Sequence, residues 1–164
     1  MAVEVISRTE MEKRLVTIDK HTPIISINDV GYASPVPNSM PSVIRLYFDD
    51  VTPYTAKHKL CHPYYIEQAN KRSFKLFTDE MAEVVVSFIV LEKSKARTLG
   101  KPFKMLIHCY AGVSRSAAVG MFYKCFLSDT GSDLIGVDLD NARFNVHVFS
   151  KLVEAYDEMK GELQ

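Results

Sequence analysis

Apolar residues along this chain fall in short runs whose period switches between two and about 3.6, which predicts strands alternating with helices. Residues 3–6 form a short apolar run with the length of an edge strand. Ser7-Arg8-Thr9-Glu10 then has the spacing of a capping box. Ile6 and Met11 sit where a hydrophobic staple closes, which predicts a short helix through Leu15. Residues 23–27 predict a buried strand that stops at Asn28-Asp29, and residues 31–41 (Gly31, Pro35, Pro37, Asn38, Pro41) a loop without periodicity. Residues 42–48 alternate, with Ile44, Leu46 and Phe48 on one face, and end in Asp49-Asp50.

Residues 51–75 are polar, broken by Pro53 and Pro63, and long enough to be functional or to carry a short helix. Thr78-Asp79-Glu80 opens the clearest helix. Phe77, Met81, Val84, Val85, Phe88 and Ile89 recur at helical spacing, Lys93, Lys95 and Arg97 sit near its end, and Gly100 and Pro102 stop it. A strand over 103–108 follows, then a nearly all-apolar helix to about Leu127 and a turn over 128–132. A final amphipathic helix has Phe149, Leu152, Val153 and Tyr156 on one stripe and ends near Gly161. This order predicts an α/β fold: one mixed central sheet of four to five strands with helices on both faces. With no repeat, low-complexity tract or linker, residues 1–164 read as a single domain.

Composition narrows the classes. The chain is 47% apolar and 24% charged, and its 20 Lys and Arg balance 20 Asp and Glu. No global field therefore points to nucleic acid or an anionic membrane. The apolar runs are too short for a membrane span, and Glu4 stands where a signal peptide would carry a basic residue. Three cysteines, Cys61, Cys109 and Cys125, suit a reducing compartment, so the expected location is cytoplasmic.

Candidate chemistry concentrates in His108-Cys109-Tyr110-Ala111-Gly112-Val113-Ser114-Arg115-Ser116, between the strand over 103–108 and a helix start. Phosphomonoester hydrolysis needs a nucleophile, donors for three equatorial oxygens and a proton for the leaving oxygen. Cys109 supplies the nucleophile as a thiolate, a form favoured at a helix N-terminus beside an arginine. The amides of Tyr110, Ala111, Gly112, Val113, Ser114 and Arg115 have the length of an anion-binding nest. Gly112 is free to take positive φ, and Arg115 closes the cradle with a planar fork that lysine cannot reproduce. The Ser116 hydroxyl is placed to donate to the Cys109 sulfur. His108 is expected to fix the loop backbone through a hydrogen bond rather than act as a base.

These residues resemble the signature of the cysteine-dependent protein tyrosine phosphatase superfamily. Ala111-Gly112-Val113-Ser114-Arg115-Ser116-Ala117-Ala118 is most similar to its compact dual-specificity branch. The likeness extends more loosely from near Ile25 through the final helix. It implies a CX5R phosphate-binding loop between a strand and a helix, a phosphocysteine intermediate and no metal or other cofactor. It also implies an aspartic acid, on a separate loop, that protonates the leaving group and then activates water. Between residues 51 and 108 the only aspartate is Asp79, in the first turn of a helix, so Asp49 and Asp50 are the better candidates. Some bacterial members of the group have a similar Arg-Leu-x-Phe-x-Asp run, which favours Asp50. Should neither serve, Glu67 or Asp79 would have to swing in; as a bland alternative, Asp49 and Asp50 only cap a turn.

Weaker constellations remain. His58, Cys61 and His62 are close in sequence, but no second ligand pair stands at metal-site spacing, and a polar loop near the cleft is the favoured reading. Cys125 is expected to be a small core residue, with a regulatory disulfide from Cys109 to Cys61 or Cys125 conceivable. Lys57, Lys59, Lys71, Arg72 and Lys75 either attract an anionic substrate or are a solvated surface, the commoner case. Tyr54, Tyr64 and Tyr65 either stack on a phosphotyrosine ring or anchor the loop.

The expected activity is hydrolysis of a phosphorylated protein or peptide, phosphotyrosine first, with phosphate or vanadate able to occupy the loop. RNA 5′-phosphate ends and phosphoinositides are rival substrates. The lack of lysine in the loop argues against inositol phosphates, and the balanced charge argues against RNA. A non-catalytic phosphate-binding module and a redox protein using Cys109 are rivals of a different class.

Overall fold

The structure is a computed structural model describing residues 2–129, 134–140 and 143–162. In chain order the elements are β1 (Ala2–Ser7), α1 (Arg8–Arg14), β2 (Ile24–Asn28), β3 (Val43–Tyr47), α2 (Pro53–His58), α3 (Pro63–Ala69), α4 (Asp79–Thr98), β4 (Lys104–Cys109), α5 (Arg115–Phe122), β5 (Leu134–Ile135) and α6 (Val146–Glu162). A π-helical turn, Tyr123–Leu127, continues α5. The strands form one sheet in the order β3-β2-β4-β1-β5.

Every pairing in that sheet is parallel, which corrects the expected mixed sheet. No two-residue hairpin turn joins any of these strands. Each connection is long enough to return the chain to the starting edge, which is what parallel pairing needs. β1 is also no edge strand. It lies between β4 and β5, but β5 pairs with it only at Val3 and Glu4 and is too short to show a period in the sequence. Of the turn expected over 128–132, residues 130–132 lie outside the described residues.

Strand alternation divides the apolar residues between two cores. Val3, Val5, Ile25, Ile27, Leu46, Phe48, Met105 and Ile107 face a large core shared with α4, α5 and α6. Ile6, Ile24 and Leu106 face the other side, where Met11 of α1 and Val36 and Met40 of the 31–41 loop cover them. Helices thus lie on both faces, as expected. α5 lies close against β1 because residue 120 is glycine: a Cβ there would stand 2.7 Å from Val5 Cγ2.

Local signals mostly operate as read. Ser7 caps α1 by accepting the Glu10 N–H, but the reciprocal half of the capping box is not made. Glu10 instead takes the Arg14 Nε at 2.7 Å. The core face of α4 is Ala82, Val85, Val86, Ile89 and Glu92, while Val84 is 48% exposed, one residue out of phase with it. Cys125 is exposed, not a core residue. The wide π turn moves it off the stripe that Ala118 and Phe122 would set for an uninterrupted α-helix. Among the described residues, no helix is long and apolar enough to cross a membrane.

The 51–75 stretch folds into α2 and α3, each entered by a proline in its first turn. It is fastened to the sheet by Asp49, which is 1% exposed and takes Arg72 Nη1 at 2.8 Å, Arg72 Nη2 at 2.7 Å and the Lys75 N–H at 2.8 Å. Asp49→Ala leaves the Lys75 N–H unpaired and the guanidinium with only the Ser73 carbonyl. It should lower the free energy of unfolding by about 3 kcal/mol in urea titrations and speed proteolysis between α2 and α3. An unchanged midpoint would mean the stretch is anchored elsewhere.

Candidate active site

Because the strands run parallel, their carboxyl ends share one edge of the sheet, where open α/β sheets place ligand crevices. Arg8 follows β1, Asp29 follows β2, Asp50 follows β3 and Cys109 ends β4. These four, with Ser114 and Arg115, line a cleft of about 680 Å³. Tyr110 and Ala111 line it as well, whereas Val113 is 61% exposed and outside the lining.

The loop after β4 is shaped by close backbone packing. Cys109 sits in register beside Ser7, and the Tyr110 carbonyl accepts the Arg8 N–H at 3.1 Å. Gly112 has φ +80°, and a Cβ there would stand 2.8 Å from the Ile6 carbonyl carbon and 2.9 Å from the Ser7 nitrogen. Both the dihedral and the space therefore require glycine. The loop turns two donors onto the Cys109 Sγ: the Gly112 N–H at 3.3 Å and the Ser116 hydroxyl at 3.0 Å. The reach from Ser116 to the sulfur is the one the sequence suggested.

Arg115 opens α5 and is 1% exposed. Its Nη1 donates to the Phe48 carbonyl at 2.8 Å, and its Nη2 pairs with Asp29 Oδ1 at 2.8 Å, with the Tyr65 hydroxyl at 3.5 Å. Burial disfavours its charge, but Tyr65, Asp29, Cys109 and Asp50 outweigh that cost and hold it more firmly protonated than usual. Its Nε is buried with no hydrogen-bond partner among the described residues.

The two adjacent aspartates differ in what they hold. Asp49 is consumed by Arg72 and Lys75 and takes no part in the cleft. Asp50 faces it: Oδ1 accepts the Ser114 hydroxyl at 2.7 Å and the Asn145 Nδ2–H at 3.0 Å. Neither alternative acid reaches the cleft, since Glu67 pairs with Lys71 and Asp79 with Lys151. Asn145 escaped the sequence reading. Its Oδ1 accepts the N–H groups of His147 and Val148, and its own N–H donates to the Ser114 carbonyl. The only sequence signal was an asparagine just before a helical period, which reads as a cap. Asp29 and Tyr65 were legible as a strand end and a loop aromatic, with nothing tying them to Arg115.

His108 meets the loop backbone at Cys109, and its other partner lies away from the loop. Its Nε2 lies 2.8 Å from the Ser26 Oγ, which is 2.8 Å from the Ser34 Oγ. Successive strand residues point to opposite faces, so His108 faces β2 and the 31–41 loop while Cys109 faces the large core. Burial lowers its pKa to about 4; the charges of Arg8 and Arg115 add to this, against the Cys109 backbone and Glu12. The ring is therefore neutral at neutral pH.

Tyrosines form the cleft wall. The Tyr65 hydroxyl donates to Asp29 Oδ1 at 3.0 Å, and burial first, then the nearby acids, keep it protonated beyond the usual phenol range. A hydrogen bond with Tyr32, then burial, pushes Tyr64 up to about 12. Tyr54 is 64% exposed and packs at a tilt against the His58 ring, away from the cleft. None of Lys57, Lys59, Lys71, Arg72 and Lys75 lines the cleft. His62 lines it while its Nδ1 caps α3. Among the described residues, no three His, Cys, Asp or Glu side chains converge as a metal set. The three cysteines are free, and burial pushes the Cys61 thiol up, towards the protonated form.

The chain matches no family model, no curated protein and no solved structure.

His108 makes a prediction about pH. Its folded pKa lies near 4, against about 6.5 in an unfolded chain, so the unfolded state binds more protons between those values. Its contribution is complete above about pH 6.5 and is lost as pH falls toward 4, to a total of roughly 3 kcal/mol. Urea unfolding across that window should show a steeper loss of stability for the wild type than for His108→Gln. Parallel curves would place the depressed pKa elsewhere.

Proposed function

We propose that this protein hydrolyses phosphomonoesters through a phosphocysteine on Cys109, as a member of the cysteine-dependent protein tyrosine phosphatase superfamily with a compact dual-specificity-like domain. One observation carries the reading: a sulfur that accepts two hydrogen bonds at the floor of a cleft, beside a buried arginine and a facing carboxylate.

In this reading the loop after β4 is the phosphate-binding loop. The Cys109 thiolate attacks phosphorus in line, and a phosphorus–sulfur bond forms as the bond to the leaving oxygen breaks. Arg115 and the loop amides hold the equatorial oxygens. Asp50 gives its proton to the departing oxygen. Its Oδ1 already serves two donors, so Oδ2, with no partner among the described residues, carries that proton. Asp50 then takes a proton from the water that attacks phosphorus, and the Ser116 hydroxyl stabilises the returning thiolate.

The substrate is a phosphorylated protein or peptide, phosphotyrosine first and phosphoserine or phosphothreonine second. The supporting feature is the wall of Tyr32, Tyr64, Tyr65 and Tyr110, which offers aromatic faces to a phenyl ring. A catalytic thiol needs a reducing compartment, which in this reading is the cytoplasm.

Cys109→Ser should abolish release of phosphate from an aryl phosphate while keeping tungstate binding by calorimetry. Near-normal turnover in that variant would end the proposal. A rapid burst of phenol in the wild type separates an enzyme from a phosphate-binding module.

Asp50→Asn keeps the oxygen that serves Ser114 and Asn145 but cannot give a proton. It should lower kcat by about 10²–10³ with a phenol leaving group and far less with nitrophenol. An equal loss for both would assign the proton to another group.

A further inference from the structure

Arg8 is the second arginine of the cleft, and the reaction proposed above does not use its side chain. Arg115 faces two acids inside the cleft, Asp29 paired at 2.8 Å and Asp50 acting through charge. Arg8 has no acid opposite it there. Its Nε donates to Glu12 Oε1 at 3.0 Å, one turn along α1, and Glu12 is half exposed and outside the cleft lining. Both Nη groups lack a partner among the described residues, and the side chain is 28% exposed.

We infer that Arg8 binds a carboxylate flanking the phosphorylated residue of the substrate, so that the preferred substrate is an acidic phosphopeptide. This rests on the phosphomonoesterase reading. The position of Arg8 supports it: Ser7 pairs with Cys109, and the Arg8 N–H is bonded to the Tyr110 carbonyl. Arg8 is thus rooted one residue past the pairing partner of Cys109, which lies across a strand spacing of about 4.8 Å. Neighbouring peptide residues lie about 3.3–3.6 Å apart, so a carboxylate one or two residues from the phosphorylated one falls within its reach. The Glu12 tether holds the planar guanidinium in advance, leaving two Nη groups for a bidentate grip. The remaining charged or titratable groups of the cleft are Asp29, Asp50, Cys109, His62 and four tyrosines. Among acids such as these, a flanking carboxylate is tolerated only where a cation meets it, so Arg8 converts repulsion into preference.

The test compares phosphotyrosine peptides that differ only in Asp against Ala at each position from two before to two after the phosphotyrosine. The wild type should favour Asp at one of these positions by about fivefold in kcat/KM, less in high salt. Arg8→Ala should bring that ratio near one, Arg8→Lys should keep part of it, and Arg8→Glu should invert it. The change should fall on KM, because the contact is equally strong in the ground and transition states; a merely structural role would lower kcat for both peptides. A wild type indifferent to Asp, or a preference that survives Arg8→Glu, overturns the inference and leaves the phosphatase reading standing. No phosphate release from any peptide or aryl phosphate overturns both.

Discussion

A guanidinium taken out of water is stable only where carboxylates and carbonyls replace its hydration, and Arg115 is 1% exposed. Its partners come from three separate parts of the chain: the Phe48 carbonyl just past β3, Asp29 just past β2 and Tyr65 on α3. The Phe48 ring adds an aromatic face 5.8 Å from the guanidinium carbon. The Phe48 carbonyl and Asp29 reach one point because a parallel sheet brings its carboxyl ends to one edge. The same charge therefore fixes the start of α5, and with it the turn that carries Gly112 and Ser116 to the Cys109 sulfur. Removing Arg115 would leave Asp29, only 13% exposed, without its cation, so the arginine organises the edge of the sheet whether or not a ligand is bound.

Asp49 and Asp50 show how one strand end serves two purposes. Consecutive extended residues project to opposite sides. Asp49 projects toward Arg72 and pins the α2–α3 stretch, which in turn delivers Tyr64 and Tyr65 to the cleft wall. Asp50 projects toward Ser114 and Asn145, where it joins the loop to the start of α6. The carboxylate facing the cleft is thus held by two donors on elements far apart in sequence.

Much of this was legible because the information was local. Nine consecutive residues carry Cys109, Gly112, Arg115 and Ser116, and the elements on either side of them are strongly periodic. The contrast between Asp49 and Asp50 could be stated from sequence but not explained, because it depends on Arg72, more than twenty residues away. Sheet direction and the interior place of β1 were not legible, since a two-residue β5 leaves no period. Cys125 was misplaced because a π turn breaks the 3.6-residue phase without any glycine or proline to announce it. Asn145 and Asp29 are single polar residues whose partners lie across the fold, and no sequence spacing reveals such a pair.

Donor counting on Arg115 bears on selectivity in the proposed reaction. A guanidinium has five N–H groups. One serves the Phe48 carbonyl, Nη2 serves Asp29 with Tyr65 close by, and Nε serves none of the described residues. The cation is therefore already largely neutralised before any ligand arrives, and a small monoanion gains little by approaching it. In the proposed reaction a tetrahedral dianion gains more, because it meets the arginine and the loop amides at once while placing its phosphorus against the sulfur. Selectivity on this account comes from the number of donors met simultaneously rather than from net charge. That agrees with a chain whose cations and anions balance and whose cleft carries two arginines, Arg8 and Arg115, and two aspartates, Asp29 and Asp50.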